Sequence, residues 1–298
     1  MIQIAIVGYG NVGACAADAV RLAPDMELRC IVTRTESRVP LSLRPLWVSD
    51  IQNIRAYGEV DVAILCLPSR LCPATAETLL QAGISTVDSY DIHPEIWAQK
   101  CRLDAAAKAG NAAAIIAAGW DPGSDSLLRA LMEAMAPRGI TYTDFGPGMS
   151  MGHSVAAKAI PGVENALSMT MPIGAGVHRR MVYVQLSPDA SFDTVAQAIR
   201  SDPYFIHDET HVIQVADVKA MQDMGHGVQM TRRGVSGSAH NQTLEYTMRI
   251  NNPALTGQIL TSAARAVTKQ LPGCYTLIEI PLIDLLPGGK EELVRRLV

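Results

Sequence analysis

The sequence predicts an α/β chain in which a parallel-sheet domain is followed by an α+β part with a mainly antiparallel sheet. Three observations predict it. An apolar run, Ile2–Val7, leads into Gly8-Tyr9-Gly10-Asn11-Val12-Gly13 and an alanine-rich helical stretch. Strand and helix patterns then alternate to about residue 120. From there to about residue 250 most segments read as strands, several alternating in polarity, as suits an antiparallel sheet with one wet face.

The first element is the most specific. A GxGxxG turn between a buried strand and a helix is a dinucleotide-binding fingerprint: Gly8 for the tight turn, Gly10 for close approach of a pyrophosphate, Gly13 for helix–strand packing. The helix N-terminus offers N–H groups and a positive dipole end to the phosphates. The first domain therefore reads as a Rossmann dinucleotide-binding domain. Its second strand is Glu27–Val32, and Val60–Leu67 is an apolar run suited to burial on both faces. A helix from about Pro73 to Ala82 closes at Gly83. Ile84–Asp88 is the next strand, a helix runs from about Pro94 to Ala109, and Ala113–Ala117 is a further strand. After a helix from about Ser124 to Ala136, strands are expected at Ala166–Met171, Arg180–Leu186, Thr210–Val215, Gly227–Arg232 and Gln242–Ile250. A long helix from about Pro253 to Gln270, a strand over Tyr275–Ile280 and a short terminal helix complete the chain.

Composition narrows the function classes. The chain of 298 residues is 48% hydrophobic and 18% charged, enough for two packed domains or one large one. A net charge of −4 gives no general attraction to nucleic acid or an anionic membrane. The six cysteines show no CxxC and no metal-ligand spacing, so no metal site and a reducing compartment are expected. With no leader-like or membrane-length apolar segment, the expected location is the cytoplasm.

The chemistry-bearing residues cluster beyond strand ends, where open α/β sheets place ligands. No acid stands at the tip of the second strand to bind a ribose 2′-hydroxyl; Thr33 and Arg34 do, with Arg38 nearby, which favours NADP, while Glu36 keeps NAD open. Asp91, in Asp88-Ser89-Tyr90-Asp91, and Asp121, in Trp120-Asp121-Pro122-Gly123, suit a cationic amine; each also reads as a helix cap. The glycine-rich stretch Phe145–Ser154 reads as a carboxylate cradle or an interdomain hinge. Of Arg179 and Arg180, one is free to bind a carboxylate bidentately. His226 stands between two glycines, and Asn252 either caps the long helix or contacts a ligand.

Taken together, VGYGNVG (7–13), DSYD (88–91), AGWDPG (118–123), FGPGMSMGHS (145–154), KAIPGV (158–163), HRR (178–180), GHG (225–227), HNQ (240–242), RINNPA (249–254) and PGCYT (272–276) resemble meso-diaminopimelate dehydrogenases, in family order and over nearly the whole chain. The compact form resembles the subgroup that includes enzymes with broader D-amino acid activity. The resemblance implies reversible NADP-dependent oxidative deamination of the D-centre of meso-2,6-diaminopimelate, a small-molecule amino-acid substrate, in a homodimer. It implies a dinucleotide domain over 1–120 completed by about 282–298, a dimerisation region at 121–150 and 251–281, and a substrate domain over 151–250. Asp91 and Asp121 match positions binding the reacting amine. Trp120, Phe145 and Met151 match pocket-lining positions; Thr170, Arg180 and His226 match the site of the distal carboxylate; Asn252 matches a polar substrate contact. The cofactor set expected on this reading is Gly8, Gly10, Asn11, Val12, Gly13, Thr33, Arg34, Cys66, Pro68, Ser69, Asp88 and Tyr90. The family commonly carries two consecutive basic residues at the second strand tip, whereas here Thr35 follows Arg34, so a weaker NADP preference is expected. Competing readings are another amino-acid dehydrogenase or reductase of this two-domain type, acting on 2,4-diaminopentanoate or resembling dihydrodipicolinate reductase, and a non-enzymatic dinucleotide sensor.

Overall fold

A computed structural model describes residues 1–221 and 225–298. The chain divides into two units, Met1–Leu127 with Pro253–Val298, and Leu128–Asn252. In chain order the first unit runs β1 (Ile2–Val7), α1 (Asn11–Leu22), β2 (Met26–Val32), β3 (Trp47–Val48), β4 (Val62–Leu65), α2 (Cys72–Gln81), β5 (Ser85–Asp88), α3 (Ile96–Ala109) and β6 (Ala113–Ile115). After α4 (Ser124–Met135), the second unit supplies β7 (Arg138–Phe145), β8 (Gly148–Met149), α5 (Met151–Lys158), β9 (Val163–Gly174), β10 (Val177–Leu186), α6 (Phe192–Ser201), β11 (Glu209–Gln214), β12 (Gly225–Ser236) and β13 (Ala239–Asn251). α7 (Asn252–Val267), β14 (Gly273–Tyr275) and α8 (Lys290–Leu297) close the first unit.

The first unit is built on a parallel seven-stranded sheet of order β14-β6-β5-β4-β1-β2-β3. Every residue of β4 is buried, as its unbroken apolar run requires. Strand order reverses at β1, which lies between β2 and β4. The crevice beyond the carboxyl ends of β1 and β4 is thus the switch point where such sheets take a ligand. α7 approaches α1 closely: a Cβ on Gly257 would stand 2.7 Å from the Ala16 amide nitrogen. The expected strand over Tyr275–Ile280 is not formed. β14 ends at Tyr275, and Leu277–Glu279 is a 3-10 turn because Thr276 and Glu279 cap each other reciprocally, with the Thr276 amide donating to Glu279 Oε2 at 2.8 Å.

The second unit carries two sheets, β11-β10-β9-β8 and β13-β12-β7. Its described pairings are antiparallel except β10 with β11, which are parallel because α6 lies between them in the chain. β7 and α6 are additions to the elements read from sequence. Val182, Val184, Val195, Ile199 and Phe205 form the core under α5 and α6. Buried Arg232 satisfies the carbonyls after α4, donating Nε to Ala136 O at 2.7 Å and Nη2 to Pro137 O at 3.2 Å. Among the described residues no helix is long and apolar enough to cross a membrane.

One ion pair ties the first unit across the length of the chain. Arg265 of α7 donates Nε and Nη2 to the two Asp25 carboxylate oxygens at 2.5 and 2.8 Å, and Nη1 to Leu285 O at 2.9 Å. The Arg265 side chain is only 6% exposed and that of Asp25 34%, so truncating Asp25 leaves a buried cation half satisfied. Asp25→Ala should lower the unfolding free energy by about 2 kcal/mol, allowing for solvent at Asp25. The Arg265 hydrogen bond holds the Asp25 carboxyl below its ordinary value. Its contribution is therefore full above the unfolded value of about 4 and lost as pH falls through the lower folded one. Urea unfolding of both proteins across acid pH checks this; equal midpoints at neutral pH would contradict it.

Candidate active site

The turn after β1 is shaped by backbone contact. Gly8 has φ +93°, and a Cβ on it would stand 2.4 Å from the Cys66 carbonyl oxygen; on Gly13 it would stand 2.1 Å from the Gly8 oxygen. At Gly10, by contrast, a Cβ would meet nothing within 4 Å. The space above the N-terminus of α1 is open, no acid occupies the first turn, and Asn11 and Val12 form its outer edge. This fits a pyrophosphate. At the tip of β2 the backbone of Thr33 is pinned to β3, its amide donating to Val48 O at 3.0 Å and its carbonyl accepting from Trp47 Nε1 at 2.8 Å. Arg34 is exposed and makes no hydrogen bond or ion pair with the described residues, so its guanidinium is available to a phosphate.

The segment after β4 turns toward Asp91. The Ser69 hydroxyl donates to Asp91 Oδ1 at 2.6 Å and accepts from the Asp91 amide at 3.2 Å. Ser69, expected at the cofactor, thus also holds Asp91. Pro68 immediately precedes it. Burial pushes the Cys66 thiol up to about 12, so it is no nucleophile. Asp91 is not a helix cap: the 3-10 turn that follows starts at His93 with Ile92 before it. Nor is Asp121, since α4 begins at Ser124, beyond Gly123. The two aspartate-bearing loops pack together, a Cβ on Gly119 standing 3.1 Å from Ser89 Cβ. Trp120 is buried beside Asp121. Tyr90 donates its hydroxyl to Glu95 at 2.6 Å.

In the second unit, Gly146 and Gly148 bring the other candidates together. A Cβ on Gly146 (φ +95°) would stand 2.2 Å from the Thr170 carbonyl oxygen, and one on Gly148 2.6 Å from His226 Cα. The glycine-rich stretch is therefore a tight junction between β9 and β12 within the second unit, with Gly148 and Met149 buried and Pro147 exposed. Thr170 lies directly opposite Arg180 on β10, and its hydroxyl accepts from Arg180 Nη1. Arg180 Nε donates to Asp208 Oδ2 at 2.6 Å. His226 is buried, with Nδ1 2.8 Å from the Gly227 amide nitrogen. Asn252 is buried and donates Nδ2 to Met149 O at 3.1 Å. Met151 opens α5 and is half-buried. The Phe145 amide donates to His178 Nε2 at 2.7 Å, and Arg129 lies 5.8 Å from the Phe145 ring centre.

Residues 119–179 match the Diaminopimelic acid dehydrogenase C-terminal domain family, and residues 2–89 match the Oxidoreductase family, NAD-binding Rossmann fold. The chain is 55% identical over 298 residues to the Meso-diaminopimelate D-dehydrogenase of Bacteroides fragilis, covering 100% of this chain and 99% of that one. The chain belongs to the meso-diaminopimelate D-dehydrogenase family. Among solved structures, an engineered D-amino acid dehydrogenase bound to NADP+ matches with a TM-score of 0.90 at 28% identity, covering 100% of this chain and 99% of that one. The C. glutamicum DAP dehydrogenase in complex with DAP matches with a TM-score of 0.88 at 29% identity, again covering 100% and 99%.

Within this diaminopimelate dehydrogenase fold, sequence reasoning missed Asp208, which reaches Arg180 only because β11 pairs with β10. It also missed the Ser69–Asp91 contact, since nothing in residue spacing links the ends of β4 and β5. Asp88 is fully buried and accepts from the Tyr90 and Ala117 amides at 2.9 and 3.1 Å, so its side chain braces the loops that carry Asp91 and Asp121. Burial pushes its carboxyl up to about 6, the two N–H donors opposing. A raised acid is most favourable to folding below its unfolded pKa, and that advantage disappears as pH rises through the folded value. Asp88→Asn keeps the acceptor without the charge. It should therefore gain about 2 kcal/mol relative to the parent between pH 4 and pH 7. Denaturant titrations at the two pH values measure that change; a constant difference would contradict it.

Proposed function

We propose that the chain catalyses NADP-dependent, reversible oxidative deamination of the D-centre of meso-2,6-diaminopimelate, giving L-2-amino-6-oxopimelate and ammonia. The full-length 55% identity to the Bacteroides fragilis enzyme carries this reading. The open phosphate cradle at Gly10 and the available Arg34 support NADP; the Thr170–Arg180 pair supports a substrate with a second carboxylate. In reverse the reaction supplies diaminopimelate for lysine and cell-wall synthesis.

A bound NADP would supply the hydride acceptor for the D-centre. Asp91, steadied by Ser69, and Asp121 hold the amine of that centre, so the C–H is aimed by anchoring what surrounds it. Loss of hydride and of an amine proton leaves an imine, which water hydrolyses to the oxo acid and ammonia. Trp120 in the first unit and Phe145 and Met151 in the second are the apolar side chains assigned to the substrate. In the second unit Arg180, Thr170 and His226 receive the distal carboxylate, and Asn252 adds a polar contact. Such charge-assisted hydrogen bonds are the strong ones, and Arg offers them in a fixed fork.

The test is NADPH formation followed by absorbance. Meso-diaminopimelate should turn over and the L,L isomer, which lacks a D-centre, should not; no turnover of the meso compound would overturn the reading. In the same assay Arg34→Ala should cut kcat/KM for NADP about tenfold, the worth of one partly exposed charge-assisted contact, with little change for NAD.

The reading also includes a homodimer in the cytoplasm. Leu131 and Met135 on α4 and Ile140 on β7 are exposed apolar side chains in or next to the proposed dimerisation region, and all six cysteines are unpaired. Fractionated cells should yield a two-chain particle in the cytoplasmic fraction; a single-chain mass or another compartment would remove that part.

A further inference from the structure

Arg180 is held from both neighbouring strands. On one side Thr170, directly across the antiparallel β9–β10 ladder, accepts from Nη1. On the other, β10 and β11 pair in parallel with Arg180 opposite Thr210 and Arg179 opposite Glu209. Asp208 is the residue just before β11, and this register lays its carboxylate along Arg180, with Nε donating at 2.6 Å. Arg179 pairs separately with Glu209 at 3.0 Å, so Asp208 is not shared with the adjacent arginine. His153 Nε2 stands 3.9 Å from the same Asp208 oxygen, while its Nδ1 lies 2.8 Å from Ser150 Oγ and its ring meets Tyr204 and Phe205 edge-on. The Arg180 side chain is 14% exposed, and Nη2 has no hydrogen-bond partner among the described residues.

We propose that Asp208 is a positioning residue for the distal carboxylate: it fixes the Arg180 fork by Nε, so that the Nη2 end is presented ready to bind. The proposal rests on the reading that Arg180 receives that carboxylate. An arginine on a flexible stem must surrender its rotamers on binding, and a guanidinium already tied at Nε and Nη1 has surrendered them beforehand. Asp208 touches no reacting atom, so its effect belongs in KM and not in kcat.

Steady-state kinetics on meso-diaminopimelate with saturating NADP test this in a double-mutant cycle. Asp208→Ala should raise KM about tenfold with kcat within about twofold, and Asp208→Asn, which keeps an oxygen for Nε, should return KM to within about threefold of the parent. In an Arg180→Ala background, Asp208→Ala should add no further change in KM. Arg180→Ala alone reports on the underlying assignment: if it leaves KM unmoved, Arg180 does not bind the carboxylate, whatever Asp208 does. If Arg180→Ala raises KM but Asp208→Ala leaves it unchanged or lowers it, the positioning role is overturned. Additive losses from the two truncations would also overturn it, because Asp208 would then act independently of Arg180.

Discussion

The second unit depends on the passage of a backbone through a gap with no room for a side chain. Gly146 and Gly148 run between the Thr170 carbonyl and the Gly225–His226 backbone, closer than any Cβ allows. The Gly146 amide donates to Gly227 O at 2.7 Å, and Gly148 pairs with Thr170. The two sheets are thereby joined through this segment: Gly148 pairs with Thr170 on one side and its backbone abuts His226 on the other. A methyl group at either glycine would collide with the Thr170 or the Gly225–His226 backbone and push these segments apart. The site is therefore sensitive to a segment that contributes no charged group to it.

A comparable economy governs the first unit. Gly8 and Gly13 press β1, α1 and the end of β4 together, and the chain after β4 then places Ser69 against Asp91. The cofactor turn and the Asp91 carboxylate are two ends of one short connection. Asp88 completes the arrangement from below by bridging the Tyr90 and Ala117 amides, at the cost of a buried carboxyl displaced upward from its ordinary range. Its strain is local electrostatics, and it lies in the scaffold under the site instead of at the reacting atoms.

Much of this was legible in the residues and some was not, for physical reasons. The parallel sheet was readable because buried strands are continuous apolar runs and Gly8 and Gly13 leave no room for a Cβ at the turn. β7 escaped because its residues are exposed or half-buried along its length, which leaves no clean alternation to read. The Tyr275–Ile280 segment has strand-forming residues, but a local Thr276–Glu279 capping box won over propensity. Arg180 stood out as one of two adjacent arginines; which of them turns inward was settled by pairing with Thr170. Asp208 is separated from Arg180 by 28 positions and a whole helix, and only the parallel β10–β11 register brings it there.

On the function proposed above, the direction of the Arg180 fork bears on a problem that meso-diaminopimelate itself poses. Meso-diaminopimelate has two α-amino acid ends of opposite configuration, so charge alone cannot tell them apart. An enzyme that gripped either end equally would bind the molecule reversed half the time, with the L-centre at the reacting position and its C–H aimed away from the hydride acceptor. Beyond the contacts that aim the reacting C–H, the non-reacting end can add discrimination by fixing where its carboxylate points relative to its chain. A freely swinging guanidinium rewards a carboxylate from many directions and is poor at this. One held at Nε by Asp208 and at Nη1 by Thr170 would reward a narrow range, and on the proposed reading this would convert a simple charge into a selector of orientation.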